Sequence, residues 1–211
     1  MKSLKTIPSI EHLLDLHPQA RAIFFDMDGT LCDSEHLHAQ AMGKIGQDFN
    51  ILPPYPPEII HQKLVGKADH LVYEEVKSWP GFPPSLDSDS FRDLKSQNLL
   101  TILDTPQYLV SEEMRFFLQS IKQSKMILGL VTSSEKIITT KILHNSGVHG
   151  LFDFVLTRDD CPFHKPHPWP YLKAIEIASV QSSECIIFED SPIGLSAAHE
   201  SGAHYFKVEW F

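Results

Sequence analysis

Acidic residues recur in pairs where short apolar runs stop. Ala22-Ile23-Phe24-Phe25 leads into Asp26-Met27-Asp28-Gly29-Thr30-Leu31, and Ile186-Ile187-Phe188 leads into Glu189-Asp190-Ser191-Pro192. Two carboxylates leaving the carboxyl end of a buried strand are costly to keep unpaired, so Asp26 and Asp28 point to a bound cation. An EF-hand loop opened by Asp26 would need Gly at its sixth position and Glu at its twelfth; those positions hold Leu31 and Leu37. The Asp-x-Asp-Gly match taken alone is equally a plain turn. Thr132-Ser133-Ser134 follows another apolar run and opens a helical pattern, where hydroxyls and unbonded amides receive anions, although Ser134 by itself also reads as an N-cap. Lys165, in His164-Lys165-Pro166-His167-Pro168, reads singly as a solvated charge. Acid pair, hydroxyl, lysine and acid pair at successive strand ends are hard to reconcile with solvated loops.

The elements that must position these residues alternate. Runs at 22–25, 127–131, 154–156, 186–188 and, more weakly, 205–208 have the β-branched or aromatic content of buried parallel strands. Helical patterns at 134–146, 168–178 and 192–201 lie between the later ones, with Gly147 and Gly202 where a C-cap glycine belongs. This alternation predicts an α/β fold, a doubly wound parallel sheet whose ligands gather at the strands' carboxyl ends. The stretch 34–110 breaks the rhythm and reads as helices at 35–49, 57–64, 69–78 and 88–103, punctuated by Pro53-Pro54-Tyr55-Pro56-Pro57 and Pro80-Gly81-Phe82-Pro83-Pro84. It is too long for one crossover helix. The expected division is therefore a core of residues 1–33 and 111–211 with a helical insertion at 34–110. Residues 1–20 read as a short helical lead-in of no evident function.

Composition sets the outer bounds. The 211 residues, 42% apolar and 21% charged, suit one soluble domain with an insertion. Eighteen Lys and Arg against 27 Asp and Glu leave a formal charge of −9, which argues against a nucleic acid or an anionic membrane as partner. A small phosphorylated molecule stays open, since a site can be locally positive. The apolar runs are far short of the ~20 residues that span a bilayer, and the N-terminal stretch lacks signal-peptide character. Cys32, Cys161 and Cys185 are odd in number and widely spaced, which suits a reducing, cytoplasmic setting rather than a disulfide framework or zinc ribbon.

In this order, the residues resemble the haloacid dehalogenase superfamily, in its helical-cap phosphatase and β-phosphoglucomutase-like branch. Asp26-Met27-Asp28-Gly29-Thr30-Leu31 is similar to its first motif, Thr132 to its second, Lys165 to its third and Glu189-Asp190 to its fourth; the likeness runs from about 22 to 208. The resemblance implies that Asp26 is a nucleophile forming an aspartyl-phosphate, and that Asp28 is the general acid and then the base. It implies Mg²⁺ held by Asp26, the carbonyl of Asp28 and Asp190, with Glu189 acting through a water. Gly29, Thr132, the amide of Ser133 and Lys165 would meet the phosphoryl group. The insertion would be the family's cap, hinged near 32–34 and 105–111, with Lys67 reading the substrate.

Departures from the pattern narrow the reaction. An acid at position 28 favours C–O–P chemistry over dehalogenation. Mutases of this branch have a cap arginine where Asp69 aligns, and Lys and Asn where this chain has Glu135 and Lys136; Lys67 could stand in. Trp169 replaces an acid common after the third motif and implies a local effect at a helix start. Glu35, His36 and His38 are expected in the first turn of an insertion helix rather than around a metal. Cys32, near the site, is an oxidation liability if exposed. The expected function is a Mg²⁺-dependent phosphatase of small phosphate monoesters, such as sugar phosphates or phosphoglycolate-like metabolites, working as a monomer or weak oligomer. A phosphosugar mutase and a catalytically silent binding protein on the same fold are the alternatives.

Overall fold

The structure is a computed structural model that describes residues 2–64, 69–105 and 109–211. Its sheet contains β1 (Lys2–Leu4), β2 (Ala22–Phe25), β3 (Ile127–Val131), β4 (Phe154–Leu156), β5 (Cys185–Glu189) and β6 (His204–Val208), ordered β1-β6-β5-β2-β3-β4. Every pairing is parallel, and Phe25 of β2 lies opposite Leu130 on one side and Phe188 on the other. β2 and β5 are buried at every position, the environment that unbroken apolar runs require.

Successive side chains of a strand point to opposite faces, and here each face has its own helices. Ala22, Phe24, Cys185 and Ile187 share a core with Tyr171, Ala174 and Ala178 of α8 (Trp169–Ala178) and Ala197 and Ala198 of α9 (Pro192–Glu200). Phe25 and Phe188, on the other face, stack at 4.9 Å and both meet Phe117 of α6 (Glu112–Gln123) edge-on. Fully burying such a side chain contributes about 1.5–3 kcal/mol. The chain winds from β2 through β3 to β4 in one direction and from β5 to β6 in the other. The order therefore reverses beside β2, where open α/β sheets leave a crevice.

Three features differ from the sequence expectations. The lead-in contains not only a helix, α1 (Ile10–Leu16), but also β1, which pairs with β6 from Lys2↔Phe206 to Leu4↔Val208; so short an edge strand is defined by its neighbour rather than by its own pattern. The helix α6 is additional to the expected elements, although Met114, Phe117, Leu118 and Ile121 are its buried stripe and Ser111 caps it by accepting from Met114 N at 3.1 Å. The helix after β3, α7 (Lys136–Asn145), starts two residues later than the pattern suggests, with Glu135 rather than Ser134 at its N-cap.

The chain divides into two units, residues 1–33 with 107–211 and residues 34–106. The second unit comprises α2 (Glu35–Asp48), α3 (Pro57–Leu64), α4 (Asp69–Val76) and α5 (Ser88–Ile102). It has its own core of Ile45, Ile51, Val72, Val76, Trp79, Leu86 and Phe91. Its later limit precedes the expected 110/111 boundary, because Leu109 and Val110 are buried and the Leu109 carbonyl accepts from Asp33 N at 3.3 Å in the first unit. Glu35 lies in the first turn of α2, with His36 and His38 following it, and no metal-type cluster among the described residues includes them. Cys32, Cys161 and Cys185 are all buried as thiols. Burial, with Asp160 adding to it, pushes Cys161 up to about 11, and burial with Glu184 pushes Cys185 up to about 12. No helix among the described residues is long and apolar enough to cross a membrane.

Candidate active site

Asp26 is the first residue beyond β2, and its amide donates to the Phe188 carbonyl at 3.0 Å, extending the ladder to β5 by one rung. The backbone then turns sharply. The Met27 carbonyl accepts from the amides of Thr30, Leu31 and Cys32 at 3.3, 2.9 and 3.0 Å, and Gly29 N donates to the Cys32 carbonyl at 2.9 Å. Gly29 takes φ +76°, and a Cβ there would come within 2.5 Å of Asp190 Oδ2. Only glycine meets both demands without strain. Thr30 Oγ1 donates to Asp190 Oδ1 at 2.9 Å, and Trp210 Nε1 donates to the Thr30 carbonyl at 2.8 Å.

At the end of β5, Glu189 is fully buried. Its Oε1 accepts from Lys165 Nζ at 2.5 Å and from Tyr171 Oη at 2.8 Å, while Oε2 accepts from Ser191 Oγ at 3.2 Å. Lys165 precedes a cis peptide bond to Pro166. Its ammonium also donates to Asp26 Oδ1 at 2.6 Å and to the Val131 carbonyl at 2.9 Å, and it lies 4.8 Å from the centre of the Tyr171 ring. From β3, Thr132 Oγ1 accepts from Ser134 N at 3.0 Å, and Ser134 Oγ donates to Asp28 Oδ2 at 2.5 Å.

The electrostatics of this cluster are lopsided. Asp26, Glu189 and Asp190 each offer an oxygen within 4.8 Å of the others, with Lys165 as the ammonium paired to the first two. Burial and the Glu189 carboxylate hold Asp26 well above the usual carboxylate range, against the pull of Lys165. Burial works against the Lys165 charge, yet the Asp26 and Glu189 carboxylates prevail and keep it protonated. Burial and Glu189 push the Tyr171 hydroxyl well up, so it stays a donor. Three carboxylates facing one ammonium leave negative charge for a cation to offset. A donor set made only of oxygens suits a hard divalent ion such as Mg²⁺.

The structure brings together Asp26, Asp28, Thr132, Lys165, Glu189 and Asp190. Gly29, expected against phosphate, has its amide committed to Cys32; it serves by letting Asp190 approach. Lys165 has three N–H donors, engaged by Asp26 Oδ1, the Val131 carbonyl and Glu189 Oε1. Ser133 is exposed beside Thr132, and Lys67 lies outside the described residues. Cys32 is fully buried, with Sγ 3.6 Å from the Met27 carbonyl, so it is closed to oxidants. Trp169 is the first residue of α8, and its amide donates to His167 Nδ1 at 3.1 Å, a local effect at the helix start.

Sequence reasoning misses the contact of Tyr171 with Glu189 and that of Ser134 with Asp28. Tyr171 looks like one more apolar position of a helix, and Ser134 like an N-cap; neither carries a local signal of its partner.

Comparison with known proteins agrees with this geometry. The family described as haloacid dehalogenase-like hydrolase matches residues 23–208. The chain is 28% identical over 182 residues to validoxylamine A 7'-phosphate phosphatase of Streptomyces hygroscopicus subsp. limoneus, covering 86% of this chain and 82% of that protein. It is 25% identical over 196 residues to the fructose-1-phosphate phosphatase YqaB of Escherichia coli, covering 89% and 95%. Its fold is similar to that of CbbY from Rhodobacter sphaeroides in complex with phosphate, with TM-score 0.76 and 20% identity, covering 90% of this chain and 86% of that one. With its parallel sheet and acid-lined strand ends, the chain belongs to the haloacid dehalogenase-like hydrolases.

Proposed function

We propose that the protein is a Mg²⁺-dependent phosphatase of small phosphate monoesters, with sugar phosphates or phosphoglycolate-like metabolites as its substrate class. The observation that carries this reading is Asp26, a buried carboxylate gripped on Oδ1 by Lys165 beside Glu189 and Asp190. An Asp26 oxygen attacks phosphorus as the ester P–O bond breaks, and Asp28 gives its proton to the leaving alkoxide. Water then attacks phosphorus of the aspartyl-phosphate while Asp28 takes up a proton, releasing inorganic phosphate and restoring Asp26. Thr132 Oγ1 and the Ser133 amide hold the phosphoryl oxygens. Lys165 and Glu189 keep Asp26 in one orientation, so that little reorganisation accompanies attack. When bound, Mg²⁺ offsets repulsion between carboxylate and phosphoryl oxygens, and Asp26, the Asp28 carbonyl and Asp190 are the groups assigned to hold it.

Hydrolysis is favoured over phosphosugar transfer by the side chains at two positions. Asp69 accepts from Lys95 at 2.5 Å within the helical unit, and Glu135 is an acid where the mutase pattern has lysine. Neither supplies the cation that a second phosphate needs, where a hydrogen bond to a charged group contributes roughly 1.5–3 kcal/mol. Two of the relatives are named as phosphatases of particular phosphate esters, which supports the substrate class.

Two assays test the reading. p-Nitrophenyl phosphate should be hydrolysed with Mg²⁺ and not after chelation; inactivity under both conditions would favour the silent binding protein. β-Glucose 1-phosphate followed by phosphorus NMR should yield inorganic phosphate without a bisphosphate activator. Glucose 6-phosphate accumulating faster than phosphate would establish the mutase instead.

A further inference from the structure

We infer that Ser134 is the positioning residue for the proton donor, its hydroxyl holding the carboxyl plane of Asp28 toward the leaving oxygen; this rests on the phosphatase reading above. Rotation of an aspartate carboxyl about its last torsion is soft and roughly two-fold. A group that must deliver a proton at one angle therefore needs something to fix that torsion. Ser134 Oγ donates to Asp28 Oδ2 at 2.5 Å, within the range of short hydrogen bonds from a hydroxyl to a carboxylate.

Ser134 is itself held from both sides. Its amide donates to Thr132 Oγ1 at 3.0 Å, and its carbonyl accepts from Arg158 N at 3.0 Å. The following Glu135 is the N-cap of α7, so the serine hydroxyl is not capping that helix. The result is a short relay from the end of β3 to the turn after β2: Thr132 fixes Ser134, and Ser134 fixes Asp28. It joins the phosphoryl-binding strand end to the proton-donating one across 106 residues of sequence.

The test uses leaving groups of different basicity. An alkyl phosphate needs protonation of its departing oxygen, whereas p-nitrophenolate leaves with little help. General acid catalysis contributes about 10²–10⁴-fold. Ser134→Ala should therefore lower kcat/KM, which reports the first displacement and not the shared hydrolysis of the aspartyl-phosphate, by roughly tenfold or more on an alkyl phosphate and by about twofold or less on p-nitrophenyl phosphate. Ser134→Thr keeps the hydroxyl and should restore the alkyl rate. Asp28→Asn measured alongside should show the same selectivity, and adding Ser134→Ala to it should cost little more, because the two act as one unit.

Selective loss in Asp28→Asn with equal losses on both substrates in Ser134→Ala would overturn the positioning role and leave the phosphatase reading intact. A similar fall in kcat/KM on both substrates carried by a rise in KM would overturn it too, by making Ser134 a substrate contact. Equal losses in Asp28→Asn itself would overturn the proton-donor assignment and this inference together.

Discussion

Asp26 carries two opposed duties. As the proposed nucleophile it must stay charged to attack phosphorus, yet burial and Glu189 make its charge costly. Its proton affinity in the folded protein exceeds that of an unfolded carboxylate, so its ionisation works against folding as pH rises. Asp26→Asn removes the attacking charge and keeps the shape, and Lys165 still has Glu189 as partner. Turnover should fall by roughly 10³-fold or more, while the metal-free variant melts no lower than the wild type. Steady-state kinetics and a melting curve check both halves. Retention of more than about a tenth of wild-type turnover, against losses of this size for covalent nucleophiles, would remove Asp26 from the covalent step.

At the scale of elements, the site depends on how closely α9 approaches the end of β5. Gly194 lies in α9, and a Cβ there would overlap the Glu189 carboxylate. Gly194→Ala must displace Glu189, one of the two carboxylates, with Asp26, that accept from Lys165. Such overpacking costs about 1–3 kcal/mol, and activity should fall with stability. The same substitution at Gly43, exposed on α2 with nothing within 4 Å of the added carbon, should stabilise its helix by about 0.5–1 kcal/mol. Denaturant unfolding of both variants reads the contrast. Equal effects would mean that α9 yields easily and that Glu189 is not fixed by this contact. The glycines are identical in the sequence, and only the neighbouring strand end distinguishes them.

At the scale of the whole molecule, a cation bound at the Asp26, Glu189 and Asp190 cluster would bind the folded chain and not the unfolded one. Mg²⁺ should therefore raise Tm in proportion to the logarithm of its concentration, with about 2.7 kcal/mol of stabilisation at a hundredfold excess over Kd. Asp190→Asn should abolish the shift, and chelation should reverse it in the wild type. A Tm indifferent to Mg²⁺ up to millimolar levels would place the cation elsewhere or make it unnecessary. The measurement needs no substrate, so it separates metal binding from turnover.

Much of this molecule is local information. The strand runs, the later helices and the residues at the strand ends are legible in the sequence because burial periodicity and turn chemistry act over a few residues. β2, β3 and β4 have the bounds that their apolar runs predict. Asp26, Asp28, Thr132, Lys165, Glu189 and Asp190 stand out because polar groups interrupt those runs. What only the tertiary structure decided is which of them touch. Lys165 reaches Asp26 across 139 residues and Glu189 across 24, and Ser134 reaches Asp28 across 106. None of those pairings leaves a local trace, and neither does the edge strand β1, which exists by virtue of β6. They follow from strand order: β2 is seated between β5 and β3, so residues remote in the chain converge where the winding reverses. Periodicity is a property of a segment, whereas a hydrogen bond between side chains is a property of the register between segments, which is set only when the sheet assembles.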